Sequence, residues 1–255
     1  MSTARTLSDW CVTPQGQYVM KCEQAFFDHS VSDIFGFNAV QLGLPQHHLL
    51  QRSRIPLHIK AGNEPGVKLW LESVELPFET GSIDLVLLPH TLEFSPHPHE
   101  ILREVERVLR PEGSVIISGF NPFSLWGLRR LLGKKKNYPW CGNFISIHRT
   151  KDWLALLGFE TELAHFACYA PPLNGSSWIK NAQFLDPMTK HWWSAIGGVY
   201  FLQAKKRVPG MRLIKQKWNG RLVSKLLPVS AKLSKQRHTH TSNIMHLKIN
   251  NKNNE

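Results

Sequence analysis

Leu76-Pro77-Phe78-Glu79-Thr80-Gly81-Ser82-Ile83-Asp84-Leu85-Val86-Leu87-Leu88-Pro89-His90 is the stretch that decides how this chain is read. Ile83 and Leu85 to Leu88 make a short apolar run bounded by Gly81-Ser82 and Pro89, the pattern of a strand buried on both faces of a parallel sheet. Such a strand needs helices on both sides. The next segment supplies one, because Ile101, Leu102, Val105, Val108 and Leu109 fall on a single helical stripe. Its other face carries Glu100, Arg103, Glu104, Glu106, Arg107 and Arg110. The spacing predicts a Glu106–Arg110 pair at i,i+4 and two Glu–Arg pairs at i,i+3, each worth ~0.2–0.5 kcal/mol to the helix. Pro111-Glu112-Gly113 ends it, and Val115 to Phe120 is the following strand, so residues 76–120 spell a right-handed strand, helix, strand unit.

Outward from this unit the elements continue. Thr13-Pro14 reads as a cap followed by proline at the first helical position, opening a leading helix that ends near Phe35-Gly36. Phe37 to Gly43 reads as the first strand, with a helix starting at His47 to Gln51. Leu57-His58-Ile59 and Leu69-Trp70-Leu71 are the second and third strands. Thr150 is placed to cap a helix through Leu157 that Gly158 stops. Phe159 to Ala170 and Gly198 to Ala204 are the last two strands. Between them lies an insertion, Pro171 to Trp193, of a length that in compact domains usually serves function, and it is expected to line an acceptor pocket.

Leu76-Pro77-Phe78, Gly81-Ser82-Ile83-Asp84, His90-Thr91-Leu92-Glu93, Leu102-Arg103-Glu104 and Val108-Leu109-Arg110-Pro111-Glu112-Gly113 together resemble the class I S-adenosylmethionine-dependent methyltransferases of the type 11 group. Ser118 to Arg130 further resembles a narrower YafS-like set. The resemblance covers residues 10–207 and is strongest from Leu76 to Arg130. It implies an α/β fold: a three-layer, Rossmann-like sandwich around a seven-stranded, mostly parallel sheet whose final strand is antiparallel. The domain is placed at 10–207, with a basic, partly disordered tail at 208–255.

The same resemblance implies an enzyme that takes a methyl group from S-adenosyl-L-methionine. Because the sulfonium is already activated, the protein mainly aligns the acceptor and manages its proton. Ligands in open α/β sheets bind beyond the carboxyl ends of the strands, which selects the residues just after strands. Gly43, with Leu44, follows the first strand where the family carries a glycine-rich turn, reduced here to Gly43-Leu44-Pro45-Gln46-His47 with one glycine. Glu72, with Ser73, follows the third strand, where the family carries an acid that accepts from the adenine amino group. The family's ribose-binding acid has no clear counterpart, and Glu64 is the nearest carboxylate. Leu88 and Pro89 close the fourth strand, and His90 sits beside the implied methyl position, where an imidazole is suited to take a proton from the acceptor. The structural alternatives are a turn glycine, a surface acid and a pocket-wall histidine. Asn121-Pro122-Phe123 is similar to the Asn-Pro-Pro-Tyr signature of amino-group methyltransferases, but it lacks the second proline and follows the fifth strand, not the fourth.

Composition bounds the rest. With 42% hydrophobic residues the chain can bury one large core. Cys11, Cys22, Cys141 and Cys168 include no Cys-x-x-Cys pair, against a zinc site or a disulfide framework, so no metal is expected. No signal peptide or transmembrane run is legible, and a cytoplasmic location is the expectation. Residues 205–255 hold thirteen Lys or Arg and one acid, whereas residues 1–204 hold eighteen of each sign, so the tail carries the whole net charge of +12. Such a tail attracts polyanions in a salt-sensitive way. The methyl acceptor is not readable. Two other function classes remain open: a non-catalytic binding protein of the same fold whose basic tail contacts nucleic acid or an anionic surface, and a dehydrogenase, which the missing glycines disfavour.

Overall fold

Among the described residues the strands are β1 (Asn38–Leu42), β2 (Leu57–Gly62), β3 (Leu69–Trp70), β4 (Ile83–Pro89), β5 (Leu109–Phe120), β6 (Phe159–Ala167) and β7 (Val199–Lys206). They form one seven-stranded sheet in the order β3-β2-β1-β4-β5-β7-β6. The first five pair in parallel, and β7 inserts between β5 and β6, antiparallel to both. The computed structural model describes residues 6–62, 69–70, 75–133, 137–172 and 196–208, all inside one compact unit, Met1–Gly210. The tail from 209 onward and the greater part of the 171–193 insertion lie outside the described residues.

Alternation along the strands sorts the core into two layers. Ala39, Leu85, Leu87, Ile116 and Phe201 pack on one face, against α1 (Leu7–Cys11), α2 (Pro14–Ser32) and α4 (Leu125–Leu132). Val40, Val86, Leu88, Val115, Ile117 and Leu202 pack on the other, against α3 (Pro98–Val108) and α5 (Ile147–Leu156). Strands buried from both sides need apolar residues at every position, which is why the run in β4 reads as continuous and not alternating.

Caps fix the helices. Thr13 accepts from the Gly16 amide at the start of α2, with Pro14 at the first helical position as expected. Thr6 and Asp9 form a reciprocal capping box on α1, a short helix that sequence reasoning missed. At α5 the cap is Ser146, not Thr150. Thr150 is instead buried, its hydroxyl 3.2 Å from that of Tyr200.

Three further expectations are corrected. His47 to Gln51 forms turns, not a helix, because a buried side chain described below captures the backbone. The β5 strand begins at Leu109, so it runs through Pro111-Glu112-Gly113, with Glu112 at φ 65° and a register shift against β4. The helix before it therefore ends at Val108, and the Glu106–Arg110 pair does not form. Arg110 reaches across to Asp84 at 3.2 Å, and Glu106 pairs with Lys206 at 2.8 Å. The Glu104–Arg107 pair does form, at 2.8 Å, and Arg107 also donates to the carbonyls of Leu76 and Phe78, tying the β4 approach to α3.

Candidate cofactor and acceptor site

The carboxyl ends of β1 and β4 lie side by side, the two strands pairing through Ala39–Leu85, Val40–Val86 and Gln41–Leu87. Gly43 leaves β1 at φ +90°, which L side chains rarely adopt. A Cβ placed there would touch only Thr91 Oγ1 at 3.6 Å and the Pro89 carbonyl at 3.8 Å. Bare backbone therefore faces the space between the two strand tips. The Gly43 amide donates to Ala61 and the Thr91 hydroxyl donates to Leu42, so β2, β1 and the turn after β4 are stitched together here.

Gln41 builds the turn. Its buried side chain donates from Nε2 to the carbonyls of Gly43, Leu44 and His47, and its Oε1 accepts from the Leu49 amide. That satisfies four backbone groups of a non-helical segment from one amide, the geometry that helix formation at residues 47–51 would have to break. The sequence carries a signal for it: a glutamine in the middle of a buried strand, between Val40 and Leu42.

Apart from His90, the expected site residues fall into three groups. Gly43 and Pro89 stand at the strand tips. Leu44 and Leu88 are neighbours of the tips in sequence, but their side chains belong to the two hydrophobic cores, so only their backbones are available to a ligand. Glu72 and Ser73, with Glu64, lie outside the described residues.

His90 requires a correction. Its imidazole is 1% exposed, with Nδ1 2.5 Å from Glu93 Oε1 and Nε2 2.7 Å from Glu23 Oε1, and its ring centroid is 4.3 Å from that of Phe120. Burial by itself would strip the proton from this ring. The charges of Glu23 and Glu93, together with their hydrogen bonds, outweigh burial and push its pKa up to about 10. A ring that keeps its proton at neutral pH and has carboxylates at both nitrogens takes no proton from an acceptor. Burial likewise raises the Glu93 carboxyl, against the opposing pull of His90 and of the Phe120 amide that donates to it. Both carboxylates were missed in the sequence reading. Glu23 stands in the inward stripe of α2 between Val19 and Phe27, where an apolar residue belongs, and Glu93 lies three residues after His90.

A depression of about 600 Å³ opens beyond the ends of β4 and β5. Its walls include Ser95 and Pro96 from the loop after β4, Pro122 from the loop after β5, and His99, Arg149 and Trp153. The His99 ring lies 3.9 Å from that of Trp153, and the Arg149 guanidinium sits 5.0 Å from the same indole. None of these three holds a strand-end position in the sequence; all come from helices, His99 from α3 and Arg149 and Trp153 from α5.

The sheet, with the reversed β7 enclosed between β5 and β6, resembles solved structures as a whole fold. Residues 51–117 match the family model described as a methyltransferase domain, Methyltransf_11. A SAM-dependent methyltransferase from Archaeoglobus fulgidus superimposes with a TM-score of 0.52 at 16% identity, covering 73% of this chain and 94% of that one. The fold is the class I methyltransferase fold. In sequence, this methyltransferase-fold chain is 33% identical over 155 residues to YafS, an uncharacterized Escherichia coli K12 protein, covering 59% of this chain and 64% of YafS. It is 31% identical over 87 residues to a malonyl-[acyl-carrier protein] O-methyltransferase of Laribacter hongkongensis, covering 34% of this chain and 29% of that protein. The chain thus spans less than two thirds of the length of these relatives. The type 11 methyltransferase domain and YafS, the resemblances carried by the motifs, are both matched by the chain, and S-adenosylmethionine is the cofactor that such a domain implies. The residues present fit it where they are described: Gly43 bares its backbone at the tip of β1, and a Cβ there would meet nothing nearer than Thr91 Oγ1 and the Pro89 carbonyl.

Proposed function

We propose that this protein binds S-adenosyl-L-methionine beyond the tips of β1 and β4 and is a methyltransferase. Gly43 and the backbone of Leu44 and Pro89 form the floor of that site, with Glu72 and Ser73 as its adenine side. The bound cofactor supplies an electrophilic methyl group. The observation that carries the reading is Gly43: a residue at φ +90° with no side chain between two adjacent parallel strand ends, held there by the Gln41 amide. The family match over residues 51–117 and the strand order support it.

The acceptor side is the depression lined by His99, Arg149 and Trp153. Arg149 offers a fixed positive charge and Trp153 a flat apolar wall, so an anionic acceptor fits. His90 is occupied by its two carboxylates, which leaves His99 as the single imidazole among the described lining residues to receive a proton. A carboxylate acceptor would need no base at all, and a relative named as an O-methyltransferase on malonyl-[acyl-carrier protein] is in keeping with that chemistry.

Calorimetric titration of the full chain with S-adenosylmethionine, S-adenosylhomocysteine and NADH tests the cofactor. Saturable heat is expected with both sulfur compounds and none with NADH. Without sulfur-cofactor binding, the enzyme reading fails and a non-catalytic protein of this fold is left. Transfer from methyl-labelled cofactor into a metabolite extract then tests the acceptor side. Arg149→Gln should cut transfer at least tenfold while cofactor affinity stays put, and His99→Gln should do the same for an acceptor that must give up a proton but not for a carboxylate.

A further inference from the structure

We propose that the outer face of α4 is a docking surface for an anionic lipid bilayer. The domain is electrically balanced as a whole, with eighteen cations and eighteen acids over residues 1–204, yet its charges are not mixed. From Gly113 to Lys151 there is no Asp or Glu, while Arg129, Arg130, Lys134 to Lys136, Arg149 and Lys151 are all basic. The middle of this acid-free stretch is α4 and the chain leading into it.

Here apolar side chains point outward. Leu131 is 71% exposed, Leu132 79%, Leu128 50% and Phe123 75%. Leu125, also exposed, lines a groove of about 420 Å³ together with Phe123, Leu128, Leu131, Phe144 and Ile196. The orientation is fixed from inside. Trp126 is buried and donates its indole N–H to Ala170 at 2.9 Å, and a Cβ on Gly127 would run into the Pro122 carbonyl at 2.0 Å. The helix is pressed onto the domain by its small and aromatic side and cannot roll its leucines inward.

Cations stand at the base of this apolar ridge. Arg129 lies over Trp140 at 4.8 Å and Arg130 over Phe144 at 5.1 Å, with Arg130 Nε donating to the Gly142 carbonyl at 2.6 Å. A ridge of leucines flanked by guanidinium groups with no acid among them matches the boundary of a bilayer, where phosphate headgroups lie above acyl chains. Nucleic acid would use the cations and leave the leucines against water. No helix among the described residues is long and apolar enough to cross a membrane, and the docking proposed for α4 is peripheral.

Cosedimentation of the full chain with vesicles tests this. Vesicles of phosphatidylcholine and phosphatidylglycerol in equal parts should bind, in a salt-sensitive way, and vesicles of phosphatidylcholine alone should bind at least tenfold more weakly. The pair Leu131→Ser and Leu132→Ser changes no charge and removes two side chains that support no core. It should weaken anionic-vesicle binding about tenfold or more, with thermal unfolding unchanged. Undiminished vesicle binding by that double variant would overturn the proposal, because charge alone, from the tail or elsewhere, would then account for it. A dimer in light scattering that the same two substitutions dissociate would overturn it in favour of a second copy of the chain. Tighter salt-sensitive binding to a DNA duplex than to the anionic vesicles would overturn it in favour of nucleic acid.

Discussion

His90 is the residue whose sequence position and physical state diverge most. It stands where the resemblance to methyltransferases makes a proton acceptor attractive, and two carboxylates, Glu93 one turn on and Glu23 from the distant α2, make it a buried cation. Its left-handed backbone, φ 52°, is an uncommon conformation for a non-glycine residue, held by a hydrogen bond that its amide donates to the Ser118 carbonyl and by carboxylates at both ring nitrogens. The consequence for stability has a definite sign. A histidine with a folded pKa of about 10 against an ordinary 6.5 favours the folded state fully below about 6.5. That contribution declines as pH rises further and is gone beyond about 10. The raised Glu93 carboxyl acts in the same direction, its contribution also being lost as pH rises. Thermal melts should therefore show stability falling from neutral to alkaline pH. Glu23→Gln should flatten that fall and lower the imidazole pKa, read by NMR titration; an unmoved pKa would contradict the assignment. His90→Gln should cost about 3–5 kcal/mol, since it leaves two buried carboxylates without their cation. Gly43 makes a second prediction at this scale. Gly43→Val puts a branched side chain at φ +90° between the strand tips, and calorimetry should show S-adenosylmethionine affinity reduced by tenfold or more.

At the scale of elements, what was legible was what depends on near neighbours in sequence. The apolar runs of β4 and β5, the stripe of α3 and the Thr13-Pro14 start of α2 all follow from spacing and capping chemistry within a few residues. The elements read wrongly are those where a distant group wins. Residues 47–51 carry helical spacing, but the Gln41 side chain takes the backbone groups a helix would need. Leu109 to Gly113 reads as helix end and turn, yet Leu109 pairs with Ile83 and Ser114 with Leu85, so the strand claims them. The candidate site divides the same way: Gly43 and Pro89 follow from strand ends, while Glu23 and Arg149 come from helices that only the fold brings near. Thr13 offers a test of local chemistry. Thr13→Ala removes the acceptor for the Gly16 amide and should cost ~1 kcal/mol in chemical denaturation.

At the scale of the molecule, the sheet order and the uneven charge set two different tasks apart. The strand tips form the proposed cofactor site, and the outer face of α4, in the middle of the acid-free stretch from Gly113 to Lys151, forms the proposed lipid-facing side. The basic tail is a third part, placed from composition alone as a segment separate from the domain that ends near residue 207. Removing residues 209–255 should leave S-adenosylmethionine affinity within about twofold and lower salt-sensitive affinity for nucleic acid; a large loss of cofactor affinity would show that the tail belongs to the site. The position of β7 has a consequence for biosynthesis. This strand is the last of the seven to leave the ribosome, yet it occupies an interior place, flanked by β5 on one side and β6 on the other. Until Lys206 has emerged, a nascent chain exposes two unpaired strand borders, each able to capture another polypeptide. Products terminated anywhere between Ala167 and Val199 should accumulate as insoluble or chaperone-bound material, whereas those ending just past Lys206 should not.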